Sequence, residues 1–309
     1  MAYPIAAGVR NIGSDTMRYI PVIYSGKVMR EYRDRTVLTK VSNTDYEGEI
    51  KKFGDSVWIR SDPVITIRDY RKGQNLVNEQ PESTAQQLLI DHGKYWSFVS
   101  YTLDEKQTDL KGCLARWADS GSYEITKKID PEVLAAMIAG ASADNYGDTA
   151  GADSNDIALG TATSGRAVTK ANILDLLVDC GTVLDEQSVP PEGRFALINP
   201  RTAGLISKSD LKDASLTGDA KSVIRTGYLG EIARFDLYQS NLIPTTGLSA
   251  GEANVIFGNK QATTFATQLV ESKIQDDPFG FGKLHRGLNV YGFKVVKSEG
   301  LGYAVIAIG

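Results

Sequence analysis

NTDYEGEIKKFGDSVWIRSDPVITIRDYRKG, residues 43–73, is the stretch on which the fold turns. Its β-branched and aromatic residues gather in DSVWIRS and PVITIRDY, and Ser61-Asp62-Pro63 separates the two runs as a break. This predicts two strands of a long hairpin. Glu47, Glu49, Lys51, Lys52 and Asp55 flank one side, and Arg68, Asp69, Arg71 and Lys72 the other. So few apolar side chains build no core, and an isolated two-stranded ribbon is marginal in water. Either the hairpin lies on another surface, or the segment is a solvated loop.

Upstream, residues 1–40 carry seven basic side chains, including Arg33 and Arg35, against three acidic ones, although the whole chain has a net charge of −4. A basic arm can bind nucleic acid or lie on an acidic surface of a like subunit. Glu31 and Asp34, interleaved in REYRDR, favour the second, since acids weaken phosphate binding.

Downstream, Leu110, Leu114, Trp117, Gly121, Ile125 and Ile129 recur at three or four, one face of a helix. Val133, Met137 and Ile138 extend the stripe past Asp130-Pro131, where a cap and first helical residue predict a kink or a restart. Continuous from Asp104, the element would reach about 50 Å at 1.5 Å per residue. Residues 140–167, rich in Gly, Ala, Ser and Asp, read as a loop or domain junction with little to bury. A second helix follows, with Thr169 as cap and Ile173, Leu176, Leu177, Cys180, Val183 and Leu184 on one side. RFALINPRT, residues 194–202, reads as a short buried strand running into a helix capped by Asn199, with Pro200 at its first position. GEIARFDLYQSNLIP, ANVIFGN, TTFATQLVESKI, LNVYGFKVV and YAVIAIG read as strands. Helices and strands mix without regular βαβ alternation, so the expected class is α+β.

Catalytic chemistry finds little purchase. His92 and His285 lack metal-ligand spacing, and Cys113 and Cys180 lie far apart with apolar neighbours, as buried thiols do. GFGKLHRG has His285 where a dinucleotide fingerprint needs glycine, GLGYAV fails at Val305, and TGDAKS lacks the P-loop span. The corner at Asn199 carries no nucleophile, acid pair or histidine. No secretion signal is expected from the first residues, and the longest apolar run, LAAMIAGA at 134–141, is far too short to cross a bilayer. No basic domain, zinc finger or aromatic stacking motif points to nucleic-acid recognition.

The order of these blocks resembles the major capsid protein of tailed double-stranded DNA bacteriophages, the Hong Kong ninety-seven type fold. Residues 43–73 resemble the family's extended hairpin, the E-loop, entered from the arm KVMREYRDRTVLTKV. LLIDHGKYWSFVSYTLDEKQTDL (88–110) is similar to the strand leading into the spine helix. VPPEGRFALINPRTAGLI and GEIARFDLYQSNLIP resemble the compact A-domain. ATTFATQLVES with GLNVYGFKVVKSEGLGYAVI resembles the return to the P-domain. Relatives often carry Gly-Phe where this chain has Arg234-Phe235.

The resemblance implies an arm (1–40), the E-loop (41–80), a P-domain with spine helix (81–140), an A-domain (141–258) and returning P-domain strands (259–309). It implies hexamers and pentamers closing an icosahedral shell around packaged DNA, no sequence-specific DNA binding, no membrane, no cofactor and no enzyme activity. The short segment ahead of the E-loop implies a separate scaffolding protein, and the family implies a portal and decoration proteins. The expected location is the virion capsid, assembled in the host bacterial cytoplasm. Arm and E-loop reaching across subunits make Arg33, Arg35, Asp55, Arg60, Asp62, Arg68, Asp69, Arg71 and Lys72 the candidate inter-subunit residues. A cargo-packaging encapsulin-like shell shares the fold, and an α/β enzyme binding a small substrate at Asn199–Arg201 is the alternative of another class.

Overall fold

The computed structural model describes residues 36–45, 56–60, 62–63, 65–83, 85–103, 111–209, 230–245, 247–249 and 251–308. In chain order, its elements begin with a short helix α1 (Leu38–Val41), β1 (Ser56–Arg60), β2 (Ala85–Leu89), β3 (His92–Tyr101) and the long helix α2 (Lys111–Ala139). There follow β4 (Arg166–Val168), α3 (Ile173–Glu186), β5 (Arg194–Ile198), α4 (Pro200–Lys208), β6 (Glu231–Ile232) and β7 (Phe235–Gln239). The last strands are β8 (Glu252–Asn259), β9 (Thr263–Asp276), β10 (Gly282–Val295) and β11 (Leu301–Ile308). They form three sheets: β1-β2, β3-β10-β9, and a six-stranded sheet ordered β4-β11-β8-β5-β7-β6. Only β4–β11 and β5–β7 pair in parallel, which makes the chain α+β as expected.

RFALI explains the centre of the molecule. All five residues of β5 are buried, and alternate side chains enter opposite cores. Ala196 and Ile198 join the apolar face of α3, whose Ile173, Leu176, Leu177, Cys180, Val183 and Leu184 are all buried. Phe195 and Leu197 join Ile125, Ile129, Val133, Leu134 and Met137 of α2 on the other side. Asn199 then caps α4 by accepting the Thr202 N–H at 2.8 Å, with Pro200 at the first turn, so the corner is a helix start. Ahead of α3 the cap differs from expectation: Asn172 holds the N-cap position, and its Oδ1 accepts the Thr169 N–H at 2.7 Å.

Arg194 is fully buried yet satisfied. Its guanidinium donates to Asp185 at 2.7 Å and to the carbonyls of Val189 and Pro190, tying the end of α3 to the start of β5. Asp185 also receives Arg234 at 2.5 Å. Burial pushes the Asp185 carboxyl up, but its bonds to both arginines outweigh that and hold it below the usual range. Arg234 stands at φ 66°, beside Ala233 at φ 49°, in the turn between β6 and β7. Glycine takes that left-handed geometry without cost, whereas here Arg234 takes it with its guanidinium paired to Asp185.

α2 runs unbroken through Pro131, about 43 Å at 1.5 Å per residue, so the restart expected at Asp130-Pro131 is absent. Asp130 is not a cap. It is buried, and its Oδ2 accepts the Val37 N–H at 3.1 Å, joining α1 to the helix through a long-range bond. Against β3 and β10, α2 crosses where two glycines leave room. A Cβ on Gly121 or Gly287 would come within 2.9 and 2.3 Å of the Trp96 ring, which is wedged between helix and sheet.

Two further expectations are corrected. Residues 140–167 are not an underpacked junction: Ala150 and Leu159 are fully buried, and the Asn145 amide donates to the carbonyls of Glu299 and Leu301 at 2.7 and 2.8 Å. β11, expected among strands returning to the P-domain, pairs instead with β8 and β4 in the six-stranded sheet. Its Ala304 and Ile306 complete the α3 core there.

Candidate inter-subunit surface

The ribbon begins as an antiparallel pair, but its second limb is not PVITIRDY. β1 pairs with β2 from Ser56↔Leu89 to Arg60↔Ala85, so residues 62–63 and 65–70 belong to the connection and not to a strand. The reason lies in burial. Ile59 and Leu88 pack with Ile90 and Ala266 at the ribbon's base, whereas Pro63 and the charges beyond it offer no buried face. Gln86 Nε2 adds a bond to the Val296 carbonyl at 3.1 Å, fixing the base to the end of β10.

Beyond the base the ribbon covers nothing of its own chain. Every described residue from 62 to 83 is exposed, including Ile65, Tyr70, Leu76 and Val77, and Ile67 reaches 90%. The tip is a turn in which Gln74 N–H donates to the Arg71 carbonyl at 3.0 Å and Gly73 takes φ 87°. Five large apolar side chains exposed on one ribbon make it a candidate surface for another molecule.

The candidate charges fall into three groups. Arg33, Arg35 and Asp55 lie outside the described residues. Arg68 reaches Glu79 across the ribbon at 3.9 Å, and Glu79 also accepts from Thr66 N–H and Oγ1 at 3.4 Å. Arg60, Asp62, Asp69, Arg71 and Lys72 are exposed and form no ion pair among the described residues. Sequence reasoning missed Glu79, thirteen positions from Thr66, because nothing local signals a cross-ribbon partner. It also read Ile65 and Ile67 as strand formers, whereas both lie outside any strand with their side chains exposed.

The histidines serve packing. His285 is buried, stacks on Phe98 with ring centres 4.9 Å apart and lies 3.2 Å from Ser100 Oγ, while His92 stacks on Phe293 at 4.9 Å. Cys180 is buried in the α3 core, and burial raises its thiol pKa, keeping it protonated and inert. The Asn199 corner opens on a cleft of about 350 Å³ lined by amides, hydroxyls and Arg201. Among the described residues no group of three His, Cys, Asp or Glu side chains gathers for a metal.

No protein-family model matches the chain, and no curated protein matches it. Solved structures do. A structure of Mycobacterium phage Che8 aligns at TM-score 0.71 and 23% identity, over 92% of this chain and 96% of that one. The capsid structure of cyanophage P-SCSP1u aligns at 0.69 and 15% identity, over 94% and 93%. The mature capsid of bacteriophage PhiM1 aligns at 0.65 and 14% identity, over 98% and 97%. These alignments each cover at least 92% of the chain, and the chain has the fold of the phage major capsid protein, the Hong Kong ninety-seven type.

Proposed function

We propose that this chain is the major capsid protein of a tailed phage, assembling into hexamers and pentamers that close an icosahedral shell around packaged double-stranded DNA. The single observation that carries this reading is the ribbon: every described residue from 62 to 83 is exposed, on a chain whose β5, β8 and β11 are buried along most of their length. Draped over a neighbouring copy, Ile65, Ile67, Tyr70, Leu76 and Val77 leave water. Fully burying an aliphatic or aromatic side chain contributes about 1.5–3 kcal/mol, and a closed shell repeats each contact many times. Arg60, Asp62, Asp69, Arg71 and Lys72 supply polar contacts around that apolar strip, and Arg68 holds the ribbon's shape through Glu79.

In this reading the six-stranded sheet with α3 and α4 is the A-domain toward the capsomer axis, and α2 with the three-stranded sheet is the P-domain. The acidic chain suits a wall that does not grip phosphate, since tight phosphate binding would hinder packaging by a motor. A separate scaffolding protein, a portal and decoration proteins are the partners, and the location is the virion, after assembly in the host cytoplasm. The role is structural, with no cofactor. Negative-stain electron microscopy of the purified protein, alone and with its scaffolding partner, tests the reading. Round particles of uniform diameter are expected, and a protein that stays monomeric under both conditions overturns it.

A further inference from the structure

A second unpartnered apolar feature lies at the far end of the three-stranded sheet. β9 and β10 run as a long hairpin from Val295↔Thr263 to Lys283↔Asp276, and its tip carries Phe279 and Phe281, 98% and 94% exposed. The tip is held rigidly. Asp277 Oδ1 accepts the Phe279 N–H at 3.0 Å, Asp277 N–H donates to the Gly282 carbonyl at 2.9 Å, and Thr102 N–H donates to the Phe281 carbonyl at 3.1 Å. A preformed apolar knob loses little freedom when it docks. Asp276 and Asp277 place two carboxylates beside it.

The same sheet carries a matching hollow. On the face turned away from α2, Tyr95 is 78% exposed and Leu288 also remains open, and they line a cleft of about 270 Å³. Its charged rim holds Arg286 and Lys273. Lys273 pairs with Glu271 at 2.6 Å, and no carboxylate among the described residues reaches Arg286. Glu271 also lines the cleft and neutralises Lys273, so the apolar floor and the unpaired Arg286 complement the phenylalanines and aspartates of the tip. The chain's own tip cannot fill this cleft. Arg286↔Lys273 lies three register positions behind Lys283↔Asp276, about 10 Å back along straight strands that carry the tip away from it.

We infer that the β9–β10 tip of one copy seats Phe279 and Phe281 in the Tyr95 and Leu288 cleft of another copy, with Asp276 or Asp277 meeting Arg286. Knob and hole lie on different parts of the molecule, so each copy gives one and receives one, and the contact propagates from copy to copy without ending at a pair. This deepens the shell reading and rests on it, because it supplies a contact independent of the ribbon.

Cross-linking in assembled particles tests it. A chain carrying F279C and L288C, with Cys113 replaced by serine, is treated with a short bis-maleimide after assembly. A ladder of covalent oligomers is expected on a denaturing gel, while each single-cysteine variant alone gives none and a mixture of the two gives dimers. F279D with F281D is expected to lower particle yield about tenfold, the loss of at least one apolar anchor, with an unchanged thermal melt. Particles without a ladder from the double variant, or without dimers from the mixture, overturn the inference and leave the shell reading standing, as does an undiminished yield of F279D with F281D. Absence of particles from the unaltered chain overturns both.

Discussion

Apolar side chains of the same kinds behave in opposite ways in two stretches of the chain. In β5 every residue is buried, flanked in the sheet by β7 and β8 and sandwiched between α3 and α2. Between residues 62 and 83, Ile65, Ile67, Tyr70, Leu76 and Val77 are as apolar, yet each stands in water. Residue type does not separate them. β5 has backbone partners on both edges and cores on both faces, whereas the ribbon past Arg60 has neither. In the reading proposed above, the apolar side chains held out on this charged ribbon are buried by a neighbouring copy.

The comparison can be broken at several points. The largest effect is expected from Phe195→Ala, which opens a cavity on the α2 side of β5. It should lower unfolding free energy in urea by about 3–5 kcal/mol without a change in slope. Next comes Gly287→Ala, whose new methyl would sit 2.3 Å from Trp96 Nε1. That overpacking should cost about 1–3 kcal/mol and shift tryptophan emission as the wedge moves. Equal stability would mean that Trp96 is free to rotate away.

A smaller effect lies at the arm junction. Burial pushes the Asp130 carboxyl up to about 6, opposed in part by the Val37 N–H, and its Oδ1 has no hydrogen-bond partner. The folded pKa lies above the unfolded one, so this contribution is full below pH about 4 and is lost as pH rises through about 6. Between pH 7 and 5 the junction should gain on the order of 1 kcal/mol, read as slower amide exchange at residues 37–42 after correction for the intrinsic rate. Asp130→Asn should give slow exchange at both pH values. The smallest effect on folding belongs to the ribbon. Ile67→Ser, or Arg71→Glu with Lys72→Glu, should leave unfolding free energy within about 0.5 kcal/mol of the unaltered chain. Particle yield should fall instead. A melt lowered as far as that of Phe195→Ala would show the ribbon folded against its own body, and the contrast with β5 would be void.

Much of this architecture was legible in the residues. The spacing of Ile173, Leu176, Leu177, Cys180, Val183 and Leu184 defines the buried face of α3, because a helix places such positions on one side. RFALI followed by Asn-Pro specifies a buried strand and a capped helix, since both signals act within a few residues. The exposed ribbon follows from composition, as too few apolar groups lie near it to bury what it has. Tertiary structure alone decided what these pieces meet. β1 takes residues 85–89 as its partner in place of 63–70 because Ile59 and Leu88 share a core that only the assembled sheets create. Pro131 does not interrupt α2, and the residue before it, Asp130, spends its carboxylate on Val37, ninety-three positions away. β11 lies in the six-stranded sheet, paired with β8 on one edge and β4 on the other. Local spacing dictates local geometry, but pairing between distant segments depends on which burial wins once all the surfaces compete.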